Sequence, residues 1–237
     1  MKKNYLILLL SIVVNLSLLS LIFLKTDLFQ RIGSRMGIVE RKASDRPDYW
    51  CIKGWTNTLE KLNLTCDVVF FGNSITAGSS FQEYFPNTKI CNLGYPGDNL
   101  DGMLVRVKQI KAVNPKKVFL MAGINGLYSQ PIQVFEEKYK ALVKGIKKEC
   151  PTATIYLQSI LPVNNNVSKN HCSNDKIVKA NEIIKKIAKE NSLTYLDIHK
   201  LYLKNGEMDK NVTKDGVHLK KEYYNKWAIY LEPYIFE

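Results

Sequence analysis

The stretch Asp67-Val68-Val69-Phe70-Phe71-Gly72-Asn73-Ser74-Ile75-Thr76-Ala77-Gly78 decides the fold. Its β-branched and aromatic residues run unbroken and stop at Gly-Asn-Ser. A continuous apolar run of this length is what a strand buried on both faces of a parallel sheet requires. The serine then falls in the loop at the strand's carboxyl end, the edge of an open α/β sheet where ligands bind. Far downstream, Asp215-Gly216-Val217-His218 sets an acid and a histidine three residues apart. An early hydroxyl and a late acid–base pair point to nucleophilic chemistry.

Outward from this stretch, strands and helices alternate. The composition predicts strands at Val68–Phe71, Ile90–Leu93, Lys117–Met121, Thr154–Ser159 and Thr194–Ile198. Helical periodicity predicts helices at Asn99–Val113, Ile132–Glu149, Lys176–Asn191 and Lys220–Tyr230. Asn99-Leu100-Asp101 and Pro131 read as helix starts, and Pro115 and Pro151 as stop signals. Tyr49, Trp50, Ile52, Trp55, Leu59 and Leu62 make a loose apolar stripe, read as a helix packing on the domain. The alternation implies an α/β fold: three layers, αβα, around a five-stranded parallel sheet of flavodoxin-like order.

The chain has 237 residues and is 46% hydrophobic, enough for one α/β domain with a sizeable core plus an extra segment. The extra segment is N-terminal. After residues 1–4, with Lys2 and Lys3, an apolar run from Tyr5 to Leu24 is long enough to cross a bilayer core of about 30 Å at about 1.5 Å per residue. It has no Ala-x-Ala-like cleavage site. The expectation is therefore a membrane signal-anchor at 5–24, a juxtamembrane linker at 25–46 and a domain at 47–237. The N-terminal lysines put the domain outside the cytoplasm, and a secreted or periplasmic form after signal cleavage is the alternative.

Five cysteines, Cys51, Cys66, Cys91, Cys150 and Cys172, show no C-x-x-C spacing, which disfavours zinc and thioredoxin-like chemistry. An exported domain can carry one or two disulfides. Cys66 and Cys91, bordering apolar runs, also fit as small buried hydrophobes. The formal charge is +12. It reads as a lysine-rich solvated surface, or as attraction to anionic lipid headgroups or acidic glycans. The lysines are spread over several helices without a basic–aromatic motif, so nucleic acid is not an expected partner.

Ser74 needs a base to remove its proton as it attacks. Of the three histidines, His171 lies in a polar loop and His199 follows the last predicted strand. His218 has Asp215 three residues before it. In a turn that spacing returns the carboxylate to imidazole Nδ1 and leaves Nε2 for Ser74. Asp215 could equally cap the following helix. Two glycine-bearing loops offer donors for an oxyanion: Cys91-Asn92-Leu93-Gly94-Tyr95-Pro96-Gly97-Asp98 and Ala122-Gly123-Ile124-Asn125-Gly126. Tyr95 and Tyr128, beside these loops, are candidates to line an acyl pocket or to be core.

The set Gly72-Asn73-Ser74, Gly97, Gly123-Ile124-Asn125 and Asp215-Gly216-Val217-His218 resembles the GDSL/SGNH hydrolases, in the family's order and over about Asp67 to Leu231. The resemblance implies Ser74 as nucleophile, His218 as general base and Asp215 as its orienting acid. It also implies an oxyanion hole of the Ser74 and Gly97 backbone N–H groups and the Asn125 amide. Gly97 is preferred over Gly94 because the family's glycine usually precedes a polar residue, here Asp98. No cofactor or metal is implied. Two departures stand out: Asn73 replaces the Asp of the family's name motif, and Gly126 replaces the acid that often follows the block-three asparagine.

The leading expectation is an esterase that cleaves a carboxylic ester, a short acyl group such as acetyl on a carbohydrate or lipid, through an acyl-enzyme. Acyl transfer to a glycan is the near alternative. A non-catalytic carbohydrate- or lipid-binding module on the same fold is the distant one.

Overall fold

The computed structural model describes residues 49–168 and 172–237, which lie in one compact unit. The predicted anchor and linker, and His171, lie outside the described residues. Among those described, no helix is long and apolar enough to cross a membrane.

In chain order the elements are α1 (Tyr49–Leu62), β1 (Val68–Gly72), α2 (Ser74–Ala77), α3 (Phe81–Tyr84), β2 (Ile90–Gly94), α4 (Leu100–Val105), α5 (Lys108–Ala112) and β3 (Lys117–Met121). Then follow α6 (Ile124–Leu127), α7 (Ile132–Glu149), β4 (Thr154–Gln158), α8 (Asn174–Glu190), β5 (Thr194–Leu196), the short hairpin β6 (Leu203–Lys204) and β7 (Glu207–Met208), and α9 (Tyr224–Phe236). The five long-range strands are parallel in the order β2-β1-β3-β4-β5. This is the flavodoxin-like order expected from the pattern. β1 lies near the middle with every residue buried, which is why its sequence is apolar on both faces.

Register sets the core. Phe70 pairs with Phe119, and Phe119 with Tyr156. Residues directly opposite share a face, so the three rings stack at centroid spacings of 5.0 and 4.6 Å. Phe81 of α3 stacks on Phe70 at 4.1 Å, and Trp227 of α9 meets Phe81 edge-on at 5.2 Å. Helices α3 and α9 therefore cover this face. The opposite face carries Val69, Phe71, Val118 and Leu120, all buried. There the Arg106 guanidinium lies 4.3 Å from the Phe71 ring centroid, and α7 packs against α4, α5 and α8.

Several expectations change. The single helix over Asn99–Val113 is two, α4 and α5, with a break at Arg106–Val107. Gly102 is a weak helix former, and the Arg106 side chain is drawn under the sheet. Asn99 is the cap, accepting from the Gly102 N–H at 2.9 Å. β2 runs one residue past the predicted Leu93, to Gly94. β5 stops at Leu196 because Ile198 N–H turns back to the Leu196 carbonyl. Ser173 caps α8, which starts two residues early. The last helix begins after a 3-10 turn at Lys221–Tyr223 and runs on to Phe236. Of the stripe on α1 whose burial is described, Leu59 is buried, but Trp55 and Leu62 are 52% and 54% exposed.

Cys66 and Cys91 form a disulfide, with Cα atoms 5.9 Å apart. It clips the entry to β1 onto β2. Cys150 and Cys172 are free and buried.

Candidate active site

The carboxyl end of β1 delivers Ser74 as the first residue of α2. Asn73 before it is buried, and its Oδ1 accepts from the Ile75 N–H at 3.0 Å. An asparagine side chain caps as well as an aspartate does. The departure from the family's Asp at this position therefore leaves the brace intact, and the cap carries no charge. From the other side of the sheet edge, the buried Tyr224 hydroxyl donates to the Ile75 carbonyl at 2.7 Å. Asn92 Nδ2 donates to the Thr76 and Ser79 carbonyls, tying β2 to the loop after α2.

Ser74 Oγ lies 2.8 Å from His218 Nε2, across 144 residues of sequence. His218 Nδ1 lies 2.7 Å from Asp215 Oδ2. The second carboxylate oxygen, Oδ1, accepts from the backbone N–H groups of His218 and Val217 at 2.8 and 3.0 Å. These bonds make a local turn, and α9 begins only at Tyr224, so Asp215 is not a helix cap. Burial works to raise the Asp215 carboxyl, but the hydrogen bonds from His218 and Val217 and the imidazole beside it prevail and hold it below the usual carboxylate range. Since the carboxylate only accepts, Nδ1 carries the proton in neutral imidazole, and Nε2 is left with its lone pair toward Ser74.

The acid–base loop has its own supports. Thr213 Oγ1 accepts from the Gly216 N–H at 2.9 Å and donates to the His218 carbonyl at 2.8 Å. Asn164 is also buried; its N–H donates to the Gly216 carbonyl and its amide to the Met208 carbonyl, both at 2.8 Å. Neither residue stood out in the sequence, because a threonine and an asparagine in loops carry no periodic signal.

The two donor loops converge on the same edge. Tyr95-Pro96-Gly97-Asp98 is a turn closed by the Asp98 N–H donating to the Tyr95 carbonyl at 3.2 Å. Gly97 has φ of +74°, and proline followed by glycine is what a type II turn demands. Gly123 has φ of +125°, and a Cβ there would sit 2.6 Å from the Phe135 ring. It introduces α6, whose second residue is Asn125. Asn125 Nδ2 donates to the Asp98 carbonyl at 2.7 Å, which leaves its second amide hydrogen uncommitted to that bond. Among the described residues, neither the Ser74 nor the Gly97 N–H donates to a backbone carbonyl. At Gly126 the atoms nearest a Cβ would be those of the Gln130 side chain, 3.6–3.7 Å away, so nothing in the backbone or packing demands glycine there.

Of the remaining candidates, Tyr95 is half-buried at the start of its turn. Tyr128 is 50% exposed at the end of α6, which rules out a core role. His199 is buried at the start of a 3-10 turn, three residues past β5, with Nδ1 2.9 Å from the Ile160 carbonyl and its backbone N–H donating to Ser159 Oγ. It is structural. Burial pushes the Cys150 thiol up to about 11 and raises Cys172 as well, so neither is a thiolate near neutral pH.

An activated serine, an imidazole held in one tautomer and converging amide donors can carry out acyl transfer from an ester. Comparison with known proteins bears on the fold and the family. The fold is similar to that of a Streptococcus pneumoniae protein described as a platelet activating factor, with 24% identity, TM-score 0.68, and 77% of this chain and 92% of that one covered. It is similar to a GDSL-like lipase of Bacteroides thetaiotaomicron, with 20% identity, TM-score 0.67, and 78% and 97% covered. It is also similar to an acetyl xylan esterase, with 22% identity, TM-score 0.60, and 70% and 98% covered. The N-acylneuraminate cytidylyltransferase of Streptococcus agalactiae serotype V is 25% identical over 165 residues, which cover 68% of this chain. The chain spans only 36% of that protein's length. Residues 70–226 match the model of a single family, and on that match the chain belongs to the GDSL-like lipase/acylhydrolase family, hydrolases of ester bonds.

Proposed function

We propose that the protein is a serine esterase that removes a short acyl group, such as acetyl, from a carbohydrate or lipid through an acyl-enzyme. The observation that carries this reading is the pair of hydrogen bonds, Ser74 Oγ to His218 Nε2 at 2.8 Å and His218 Nδ1 to Asp215 Oδ2 at 2.7 Å. In the first step Ser74 Oγ bonds to the ester carbonyl carbon and its proton passes to Nε2. Asp215 stabilises the imidazolium that forms. The Ser74 and Gly97 N–H groups and the Asn125 amide receive the charge that develops on the carbonyl oxygen. The C–O bond to the alcohol then breaks, and the alcohol leaves with the proton from Nε2. Water attacks the acyl-Ser74 carbonyl while giving a proton to Nε2. Collapse releases the carboxylic acid and restores Ser74. A carbohydrate ester is favoured by the fold likeness to an acetyl xylan esterase and by the relation to a protein named for an N-acylated sugar.

The test is labelling of the folded protein by a fluorophosphonate probe, together with hydrolysis of aryl esters of graded chain length. Ser74 takes the label and acetyl esters turn over fastest. His218→Ala abolishes labelling, whereas His199→Ala, if folded, does not. No label and no turnover at any chain length would reject the esterase and favour a binding module.

The Tyr5–Leu24 run supports a second part of the proposal, a membrane anchor with the domain outside the cytoplasm. The Cys66–Cys91 disulfide suits an oxidising compartment. Full-length protein should stay in the membrane fraction after an alkaline carbonate wash. A mature form beginning near Lys25 or later would replace the anchor with a cleaved signal.

A further inference from the structure

Arg106, at the break between α4 and α5, is 1% exposed, and its ion-pair partner Asp98 is 0% exposed. Burying a guanidinium is costly unless its charge and its hydrogens are met. They are met at the sheet edge that holds the site. Nε donates to Asp98 Oδ2 at 2.5 Å, one terminal nitrogen to the Leu93 carbonyl at 2.8 Å and to Gln109 Oε1 at 3.3 Å, and the other to the Gly72 carbonyl at 2.8 Å. Gln109 in turn donates to Thr56 Oγ1 on α1 at 2.9 Å.

Three of these contacts touch the donor set proposed above. Gly72 ends β1, two residues before Ser74. Leu93 lies in β2, just before the Gly97 turn. Asp98 follows Gly97, and its own carbonyl accepts the Asn125 amide at 2.7 Å. One planar fork thus ties the nucleophile strand, the glycine turn and, through Asp98, the asparagine. We propose that Arg106, with Asp98, is a positioning residue that sets the spacing between the Ser74 and Gly97 N–H groups and the Asn125 amide. It does not touch the reacting atoms. The inference rests on the reading of those three donors as the oxyanion hole.

A lysine keeps the charge but not the fork, since one ammonium on a flexible stem cannot hold three directions in a fixed plane. Donors displaced by fractions of an ångström cost rate because they must meet the charge of the transition state, not the substrate. In Arg106→Lys we expect kcat on an aryl acetate to fall about 10- to 100-fold, with KM changed by no more than about threefold. Melting and circular dichroism identify the temperature at which each variant is folded. The decisive readout is a cycle with Asn125→Ala. If Arg106 acts through the donor set, the two changes are not additive: Arg106→Lys costs a smaller factor once the Asn125 amide is gone, the remainder acting through the Ser74 and Gly97 N–H groups. A merely structural role costs the same factor in both backgrounds, and that result would overturn the proposal, as would wild-type kcat in folded Arg106→Lys. If Arg106→Lys does not fold, Asp98→Asn, which keeps the shape and the backbone carbonyl, runs through the same cycle with the same expected pattern. If the wild-type protein itself neither labels at Ser74 nor turns over any aryl ester, the esterase reading has failed and this proposal falls with it.

Discussion

Exchanging the Asn125 amide nitrogen for an oxygen, in Asn125→Asp, is nearly isosteric and separates a hydrogen-bond role from a packing role. In the structure the amide donates to the Asp98 carbonyl at 2.7 Å, and its second hydrogen is the one the proposed oxyanion hole would use. Asn125→Ala removes both. Loss of one oxyanion donor costs about 10²–10³ in kcat, or about 2.7–4 kcal/mol. Loss of a neutral, partly buried hydrogen bond costs about 1 kcal/mol of stability, and so lowers Tm by about 2–4 °C in a domain of this size. The kinetic effect therefore exceeds the stability effect, and Asn125→Ala should be folded but slow. Asn125→Asp goes further. Its carboxylate faces the Asp98 carbonyl without a hydrogen to give and places negative charge where negative charge must develop. Two unit charges about 4 Å apart repel by about 4 kcal/mol at an effective dielectric of about 20. Even a fraction of this makes Asn125→Asp at least about tenfold slower than Asn125→Ala. The assay is steady-state hydrolysis of an aryl acetate at neutral pH, with thermal melts of all three proteins. Equal or faster turnover by Asn125→Asp than by Asn125→Ala, with both folded, would show that the oxyanion is stabilised elsewhere.

Asp215→Asn should cut kcat by about 10⁴-fold, because an amide at this position favours the wrong imidazole tautomer; unchanged activity would remove Asp215 from the mechanism. Because the Asp215 carboxyl lies below its ordinary value of 3.8 in the folded chain, its contribution to stability is full above that value and is lost as pH falls through the lower folded value. The acid limb of Tm against pH should accordingly be shallower in Asp215→Asn than in the wild type, and parallel limbs would contradict the assigned bonds. Replacing Cys66 and Cys91 together with alanine opens a loop of 25 residues and should lower unfolding stability by about 3.5 kcal/mol in urea titrations. A midpoint equal to that of the unreduced wild type would mean that the clip contributes nothing.

The strands were legible because each is a short apolar run whose burial on both faces leaves little choice of residue, as in Val68–Gly72. Helix α7 appears at its predicted bounds, Ile132–Glu149, because an amphipathic period and a leading proline are local signals. Helices α4 and α5 were not separable, because their break comes from Arg106 reaching carbonyls of Gly72 and Leu93, neighbours only in three dimensions. The same holds for the pairing of Cys66 with Cys91, which depends on the parallel register of β1 and β2.

Residue type and local order by themselves determined that Ser74 follows a buried strand, that Asp215 lies three residues before His218, and that Gly97 and Asn125 lie in glycine-bearing segments. These are properties of neighbouring residues, and short-range sterics and hydrogen bonding decide them. Tertiary structure alone decided that His218 Nε2 comes within 2.8 Å of Ser74 Oγ. It alone decided that the two donor loops are joined at Asp98 and that a buried arginine spans strand and turn beneath them. Apart from the Arg106–Asp98 pair, eight residues apart, those contacts cross from 27 to 144 residues, and only the order of the strands in the sheet brings their partners to one edge.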